Sequence, residues 1–281
     1  MARSGSPRRQ RLDAELVRRG LARSRGDAAS LVEAGRVTVA GVVATKPATA
    51  VSLDVAVVVR EDPDDPGYVS RGGHKLAGAL DAFVPRGLRV EGRRCLDAGA
   101  STGGFTDVLL RAGAARVAAV DVGYGQLAWS IRNDDRVDVH DRTHVRDVTT
   151  ELLGGAVDLV VGDLSFISLR LLLAPLVSVT APDGDLVLMV KPQFEVGKDR
   201  VGKGGVVRDP ALHVESVQGV VEEAAGLGWG VVGVVRSPLP GPSGNVEFFT
   251  WLRQGPPQLD SGAVAAAVTP PVSEPGERLT P

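Results

Sequence analysis

The segment Cys95–Phe105, CLDAGASTGGF, has the residue types of a ligand-binding turn. A short apolar strand ends at Asp97. Glycines then let the backbone bend tightly and come close to a ligand, and a helix begins near Thr106. This is the crevice that a parallel α/β sheet opens at the carboxyl ends of its strands. Asp121 closes the next strand, where a carboxylate can accept both hydroxyls of a ribose, so a nucleoside cofactor is the chemistry to expect. The spacing Gly99-x-x-x-Gly103-Gly104 is not the G-x-G-x-x-G that seats a pyrophosphate on a helix N-terminus. An acid directly before the glycines also repels phosphate. Both points favour S-adenosylmethionine, with its cationic amino-acid end and sulfonium, over a dinucleotide. Candidate cofactor residues are Asp97, Gly99, Ser101, Gly103, Gly104, Phe105, Asp121, Val122, Asp141 and Asp163. Asp141 either meets the adenine amino group or is a solvated acid beside Arg142.

Lys75, Asp163, Lys191 and Glu247 each lie at the end of a predicted element, where parallel sheets place ligands. Taken singly, each reads as readily as a surface charge. Lys191 is harder to dismiss because it follows the apolar run Leu186–Val190, and an unpaired buried ammonium is costly.

The elements that must position these residues alternate along the chain from about Arg71. Strands are predicted at 94–97, 117–121, 137–139, 157–161, 186–190 and 231–235, with helical patterns between most of them. This is the signature of a doubly wound parallel sheet. The last apolar segment, 246–252, follows Pro238, Pro240 and Pro242 without room for a helix and is predicted to run antiparallel. Residues 11–60 read instead as two short helices and a few short strands. Gly20 and Gly35 are placed to stop the helices, Ser24 and Asp27 to start the second, and Ala40-Gly41 to turn between strands. The expected organisation is a basic flexible N-terminus (1–10), a small α+β domain (11–60), an acidic, proline-containing linker (61–70), an α/β domain (71–253) and a proline-rich flexible tail (254–281).

Composition narrows the function classes. Hydrophobic residues are 43% and charged residues 23% of the chain, an ordinary globular balance, and the single cysteine, Cys95, cannot form an internal disulfide. No apolar run is long enough to span a membrane, and the Arg-bearing first ten residues lead into no signal-peptide core. A cytoplasmic protein is therefore expected. The four histidines do not cluster with Cys95, so no metal site is expected. Ser101 and Ser165 lack convincing partners for nucleophilic catalysis. The formal net charge is −2, yet residues 1–36 hold nine arginines against four acids. One module of an otherwise acidic chain is thus built to meet a polyanion. Arg8, Arg11, Arg18, Arg19, Arg23 and Arg25 there, with Arg71, Lys198, Lys203 and Arg208 further on, are candidate contacts to such a polyanion. Trp129, Trp229 and Trp251 are expected in the core, and Tyr68, Phe105 and Phe166 are better placed for base stacking.

Seven stretches carry a family resemblance: RLDAELVRRGLARSR (11–25), SRGGHKL (70–76), CLDAGASTGGFTDVLL (95–110), DVGYGQLAWSIR (121–132), DLSFISL (163–169), VKPQFEVGK (190–198) and SPLPGPSGNVEFF (237–249). Through them the chain resembles, from Arg11 to Arg253, the TlyA or hemolysin A family of bacterial ribosomal RNA 2′-O-methyltransferases. The resemblance implies an S4-like RNA-binding domain followed by a Rossmann-like, FtsJ-type methyltransferase domain using S-adenosylmethionine. It implies cytidine in ribosomal RNA of the small and large subunits as substrate, and no obligate protein partner. It also implies a catalytic tetrad of Lys75, Asp163, Lys191 and Glu247. Lys191, desolvated near Lys75 and fixed by Asp163 and Glu247, would accept the proton of the ribose hydroxyl. The family includes shorter members acting on 23S RNA alone, and the Arg-rich extension here favours the dual 16S and 23S type. The rival readings are a membrane-active hemolysin and a non-catalytic RNA-binding assembly factor. The first lacks a signal peptide, a span or a strongly amphipathic cationic helix, and the second is opposed by the intact tetrad.

Overall fold

The computed structural model describes residues 9–22, 25–60 and 65–269, in two units that divide between Gly67 and Tyr68. The first unit contains β1 (Arg9–Arg11), α1 (Leu12–Arg18), α2 (Arg25–Glu33), β2 (Val37–Val39), β3 (Val42–Val43), β4 (Ala50–Ser52) and β5 (Val57–Val59). Leu12 and Leu16 from α1 and Ala28 and Val32 from α2 pack on Val37, Val51 and Val57. Gly20 and Gly35 adopt positive φ, 70° and 67°, and end the two helices. Ala40 and Gly41 both take positive φ, the conformation whose twist matches a tight β2–β3 hairpin. The antiparallel pair β1–β4 was not expected. It places Arg9 and Gln10 in a strand, so the unit starts before residue 11, and three polar residues leave no apolar pattern to read.

The second unit is built on a seven-stranded sheet: β6 (Arg94–Ala98), β7 (Arg116–Val120), β8 (Val137–His140), β9 (Val157–Gly162), β10 (Thr180–Val190), β11 (Trp229–Arg236) and β12 (Phe248–Gln254). The spatial order is β11-β12-β10-β9-β6-β7-β8, parallel from β10 to β8, with β12 antiparallel to both neighbours. Strands covered on both faces read as continuous apolar runs because alternate residues enter two cores. Leu96, Val120, Val160 and Leu188 face α6 (Leu173–Ser178) and α8 (Pro210–Gly226). Cys95, Val117, Leu159 and Val187 face α3 (Arg71–Phe83) and α4 (Gly104–Arg111). Burial pushes the Cys95 thiol up to about 12, so it is inert packing.

Two further boundaries differ from the sequence expectation, as does the placement of one tryptophan and one phenylalanine. Tyr68–Ser70 belongs to the second unit, not to a linker. The Val69 N–H donates to Asp107 Oδ2 at 2.9 Å, and Tyr68 lies edge-on to His74 with the Arg111 guanidinium 4.9 Å from its ring centre. Residues 255–269 are not a flexible tail. Gln258 N–H donates to the Val231 carbonyl, Asp260 caps α9 (Ser261–Val268), and Val264 and Val268 enter the core beside Trp229. A small-residue helix next to prolines looks like linker in composition although two valines suffice to dock it. Trp129 is 80% exposed, whereas Trp229 and Trp251 are buried as expected. Phe105 is buried against Phe249, with ring centres 5.9 Å apart, and cannot stack on a base. The remaining helices are α5 (Trp129–Arg132) and α7 (Pro192–Glu195).

Candidate active site

The chain leaves β6 on one side of the sheet and β9 on the other, so a crevice opens at their carboxyl ends. There a cavity of 580 Å³ is lined by Gly99, Ser101, Asp121, Val122, Asp163 and Ser165, among others. Gly99 holds φ 86°, and a Cβ on it would lie 3.0 Å from the Asp163 carbonyl, so only glycine lets the two strand ends come this close. Asp121 accepts from the Ser101 N–H at 2.8 Å and the Gly123 N–H at 2.7 Å, which fixes its carboxylate while leaving lone pairs over the cavity. Asp97 lies behind the turn, fully buried. Its Oδ2 accepts the Thr106 hydroxyl at 2.6 Å and its Oδ1 has no partner. Burial raises its pKa to about 7, against the opposing Thr106 hydrogen bond.

The four charged residues assemble as two pairs. Lys75, in the first turns of α3, meets Glu247 Oε2 at 2.5 Å, with both side chains buried. Gly241 closes over that carboxylate, since a Cβ there would come 2.5 Å from Glu247 Oε1. Lys191, just past β10, has its Nζ 2.6 Å from Asp163 Oδ1 and donates to Ser165 Oγ at 2.6 Å. Glu247 therefore holds Lys75, and Asp163 with Ser165 holds Lys191, so each carboxylate takes one lysine. Antiparallel pairing of Val190 with Phe248 places Lys191 and Glu247 at the same end of adjacent strands.

Of the expected cofactor residues, Gly99, Ser101, Asp121, Val122 and Asp163 reach the cavity wall. Asp97, buried behind the turn, and Gly103, Gly104, Phe105 and Asp141 do not. A Cβ on Gly103 would strike Leu127 at 2.9 Å, and one on Gly104 would lie 2.2 Å from Ser70 Oγ, so these glycines serve close packing. Asp141 is bound by Arg132 at 2.5 Å. Sequence reasoning missed Gln126, His144, Leu164 and Ile167 on the wall; all sit on loops, where apolar periodicity gives no signal. Phe166, named only as a stacking candidate, stands at the mouth 91% exposed, with φ 65° and its ring centre 5.4 Å from that of Phe194. An exposed phenylalanine in left-handed backbone is the clearest sign of a residue kept for a ligand.

The arginines of the first unit are engaged locally. Arg11 and Arg25 bind Asp13 at 2.7 and 3.1 Å; Arg18 and Arg19 bind Glu15, each at 2.6 Å. Arg19 also donates to the Val55 and Leu53 carbonyls at 2.8 Å, which makes it a brace between α1 and the chain before β5. The Arg18 fork holds the Glu15 carboxylate down to about 2. Arg8 and Arg23 lie outside the described residues. In the second unit Arg71 donates to the Pro240 carbonyl at 3.4 Å.

A family model described as FtsJ-like methyltransferase matches residues 68–254, and one described as the S4 domain matches residues 10–57. Over 246 residues the chain is 63% identical to the 16S/23S rRNA (cytidine-2′-O)-methyltransferase TlyA of Mycobacterium tuberculosis, covering 88% of this chain and 90% of that one. It is 36% identical over 183 residues to the 23S rRNA (cytidine-2′-O)-methyltransferase TlyA of Campylobacter jejuni, covering 65% and 69%. A solved structure described as a hemolysin from Streptococcus thermophilus superposes with a TM-score of 0.74 at 36% identity, covering 94% of this chain and 95% of that one. Among the described residues no helix is long and apolar enough to cross a membrane.

Proposed function

The chain belongs to the TlyA family, whose catalytic unit is an FtsJ-like methyltransferase, and on that premise we propose that it methylates the ribose 2′-hydroxyl of cytidine in 16S and 23S ribosomal RNA. The observation that carries this reading is the pairing of Lys191 with Asp163 and of Lys75 with Glu247 at the carboxyl end of the sheet, beside a nucleoside-sized cavity.

The residues present fit S-adenosylmethionine. Asp121 is fixed to take the ribose hydroxyls, and the unpartnered Asp97 Oδ1 is a carboxylate oxygen suited to the ammonium of the methionyl end. When bound, that cofactor supplies a methyl on a sulfonium, a leaving group that needs no further activation. The chain's own residues do the rest. Lys191 takes the proton of the 2′-hydroxyl as the O–C bond forms, held by Asp163. Lys75, balanced by Glu247, places a fixed cation beside the reacting oxygen. Phe166 stacks on the displaced base, an interaction any base permits, so recognition of cytosine falls to groups at its edge. The S4-like unit supplies affinity through phosphate contacts, and the Arg-rich extension favours the dual-target type, in the cytoplasm where ribosomal subunits are assembled.

The test is transfer of labelled methyl from S-adenosylmethionine to purified, unmethylated 30S and 50S subunits, followed by digestion to nucleosides. The expected product is 2′-O-methylcytidine from both. Label in 50S alone would remove the 16S target, and label in neither would overturn the reading.

A further inference from the structure

We propose that Ser165 is a positioning residue for methyl transfer: its hydroxyl sets the rotation of the Lys191 amine so that the nitrogen lone pair points at the acceptor hydroxyl. The inference rests on the reading of Lys191 as proton acceptor. A lysine amine turns about its Cε–Nζ bond as a three-fold rotor, and one directed hydrogen bond fixes all three positions at once. Asp163 Oδ1, although 2.6 Å from Nζ, accepts no well-directed hydrogen bond, so its pull is charge without direction. The directed bond is the one from Nζ to Ser165 Oγ at 2.6 Å. In the neutral amine one N–H goes to Ser165 and the other turns toward the Asp163 charge. The lone pair then occupies the third position, the only orientation in which a base is useful.

Ser165 is held in place to do this. It precedes Phe166, and two residues beyond Phe166 the chain is clamped by Glu195. The buried Glu195 carboxylate accepts the Ser168 hydroxyl at 2.6 Å and the Leu169 N–H at 2.7 Å. Glu195 ends α7, the helix that starts directly after Lys191. One carboxylate thus ties the loop carrying Ser165 to the segment carrying Lys191. Among the described residues Ser165 makes no other side-chain hydrogen bond, so no packing duty accounts for a hydroxyl on this exposed loop.

The experiment compares the full-length protein with Ser165→Ala, Ser165→Thr and Lys191→Ala on unmethylated subunits, recording kcat, KM for the subunit, cofactor Kd and the pH profile of kcat. Ser165→Ala is expected to lower kcat roughly 10- to 100-fold with KM and Kd changed less than about two-fold. Its acidic limb should move to lower pH, because the ammonium loses an acceptor. Ser165→Thr, which keeps the hydroxyl, should recover most of the rate. Wild-type kcat and an unmoved profile in Ser165→Ala would overturn the proposal, as would a loss confined to KM or Kd. Activity surviving in Lys191→Ala would instead overturn the proton-acceptor reading on which it rests.

Discussion

Two ion pairs, Arg18–Glu15 in the first unit and Lys75–Glu247 in the second, handle opposite charges in opposite ways. In the first, the acid is buried and the cation reaches out: the Glu15 side chain is 0% exposed while its partner Arg18 is 52% exposed. In the second, both members of a pair are withdrawn, with Lys75 at 8% and Glu247 at 1%. A buried acid under a half-exposed arginine anchors the base of the guanidinium and leaves its rim to water or phosphate, a design for meeting an extended polyanion. A fully withdrawn pair has little left for water and is poised for one reacting group. In the proposed function, binding draws on cations presented at the surface, and chemistry on cations desolvated beside carboxylates.

The comparison can be broken most decisively at Lys191. Lys191→Ala should lower methyl transfer by about 10³-fold or more while cofactor affinity, measured by calorimetry, stays within a few-fold. Next in size is the withdrawn pair itself. Glu247→Ala strands a buried ammonium and should lower unfolding free energy by about 3–5 kcal/mol in urea titrations. The double change Lys75→Met with Glu247→Leu should recover most of that stability but no activity, which separates the pair's structural cost from its catalytic role.

A third test uses pH, where the two units should respond with opposite sign. The folded pKa of Asp97, about 7, lies above its unfolded value, so the folded state holds the extra proton. Its stability is greatest below about pH 4, falls as pH rises toward 7 by up to roughly 4 kcal/mol, and is level beyond. Asp97→Asn should flatten that slope. Glu15 is depressed to about 2, so its contribution is complete above the ordinary carboxylate range and is lost as pH falls through 2. Denaturant unfolding of the full chain across pH 2 to 8 with Asp97→Asn and Glu15→Gln reads both slopes. The smallest effect on stability is expected at the presented cations. Arg11→Ala or Arg18→Ala should change the unfolding midpoint little, yet each should reduce the salt dependence of RNA binding by about one phosphate contact.

How far the sequence revealed this site depends on what each residue needs. Lys75, Asp163, Lys191 and Glu247 were legible because each lies at the end of a predicted element, where a parallel sheet places ligands, and because the family resemblance groups them; for Asp163 and Lys191 the element end is a continuous apolar run. Gly99 was legible as a close-approach position. Gly103 and Gly104 were not separable from it, since a glycine required by packing against Leu127 or Ser70 reads the same as one required by a ligand. The role of Ser165 was hidden because a hydroxyl takes its meaning from a partner 26 residues away. Trp129 misled for a related reason: an apolar neighbourhood in sequence does not say which side of a four-residue helix faces out. The arginines of the first unit were rightly counted as a charge excess. Their division into a brace, Arg19, and presented cations needed the buried Asp13 and Glu15 beneath them.

The antiparallel strand β12 has a consequence in time. It is the last strand of the sheet to be synthesised, yet it inserts between β10 and β11, and Glu247 stands at its entrance. A nascent chain that has emerged only as far as β11 already holds Asp97, Asp121 and Lys191. It has no partner for Lys75, and the edge strand β11 is not yet joined to the rest of its sheet. Bringing the two lysine–carboxylate pairs together thus waits for the final strand to thread home, because a chain that stops short of it lacks Glu247.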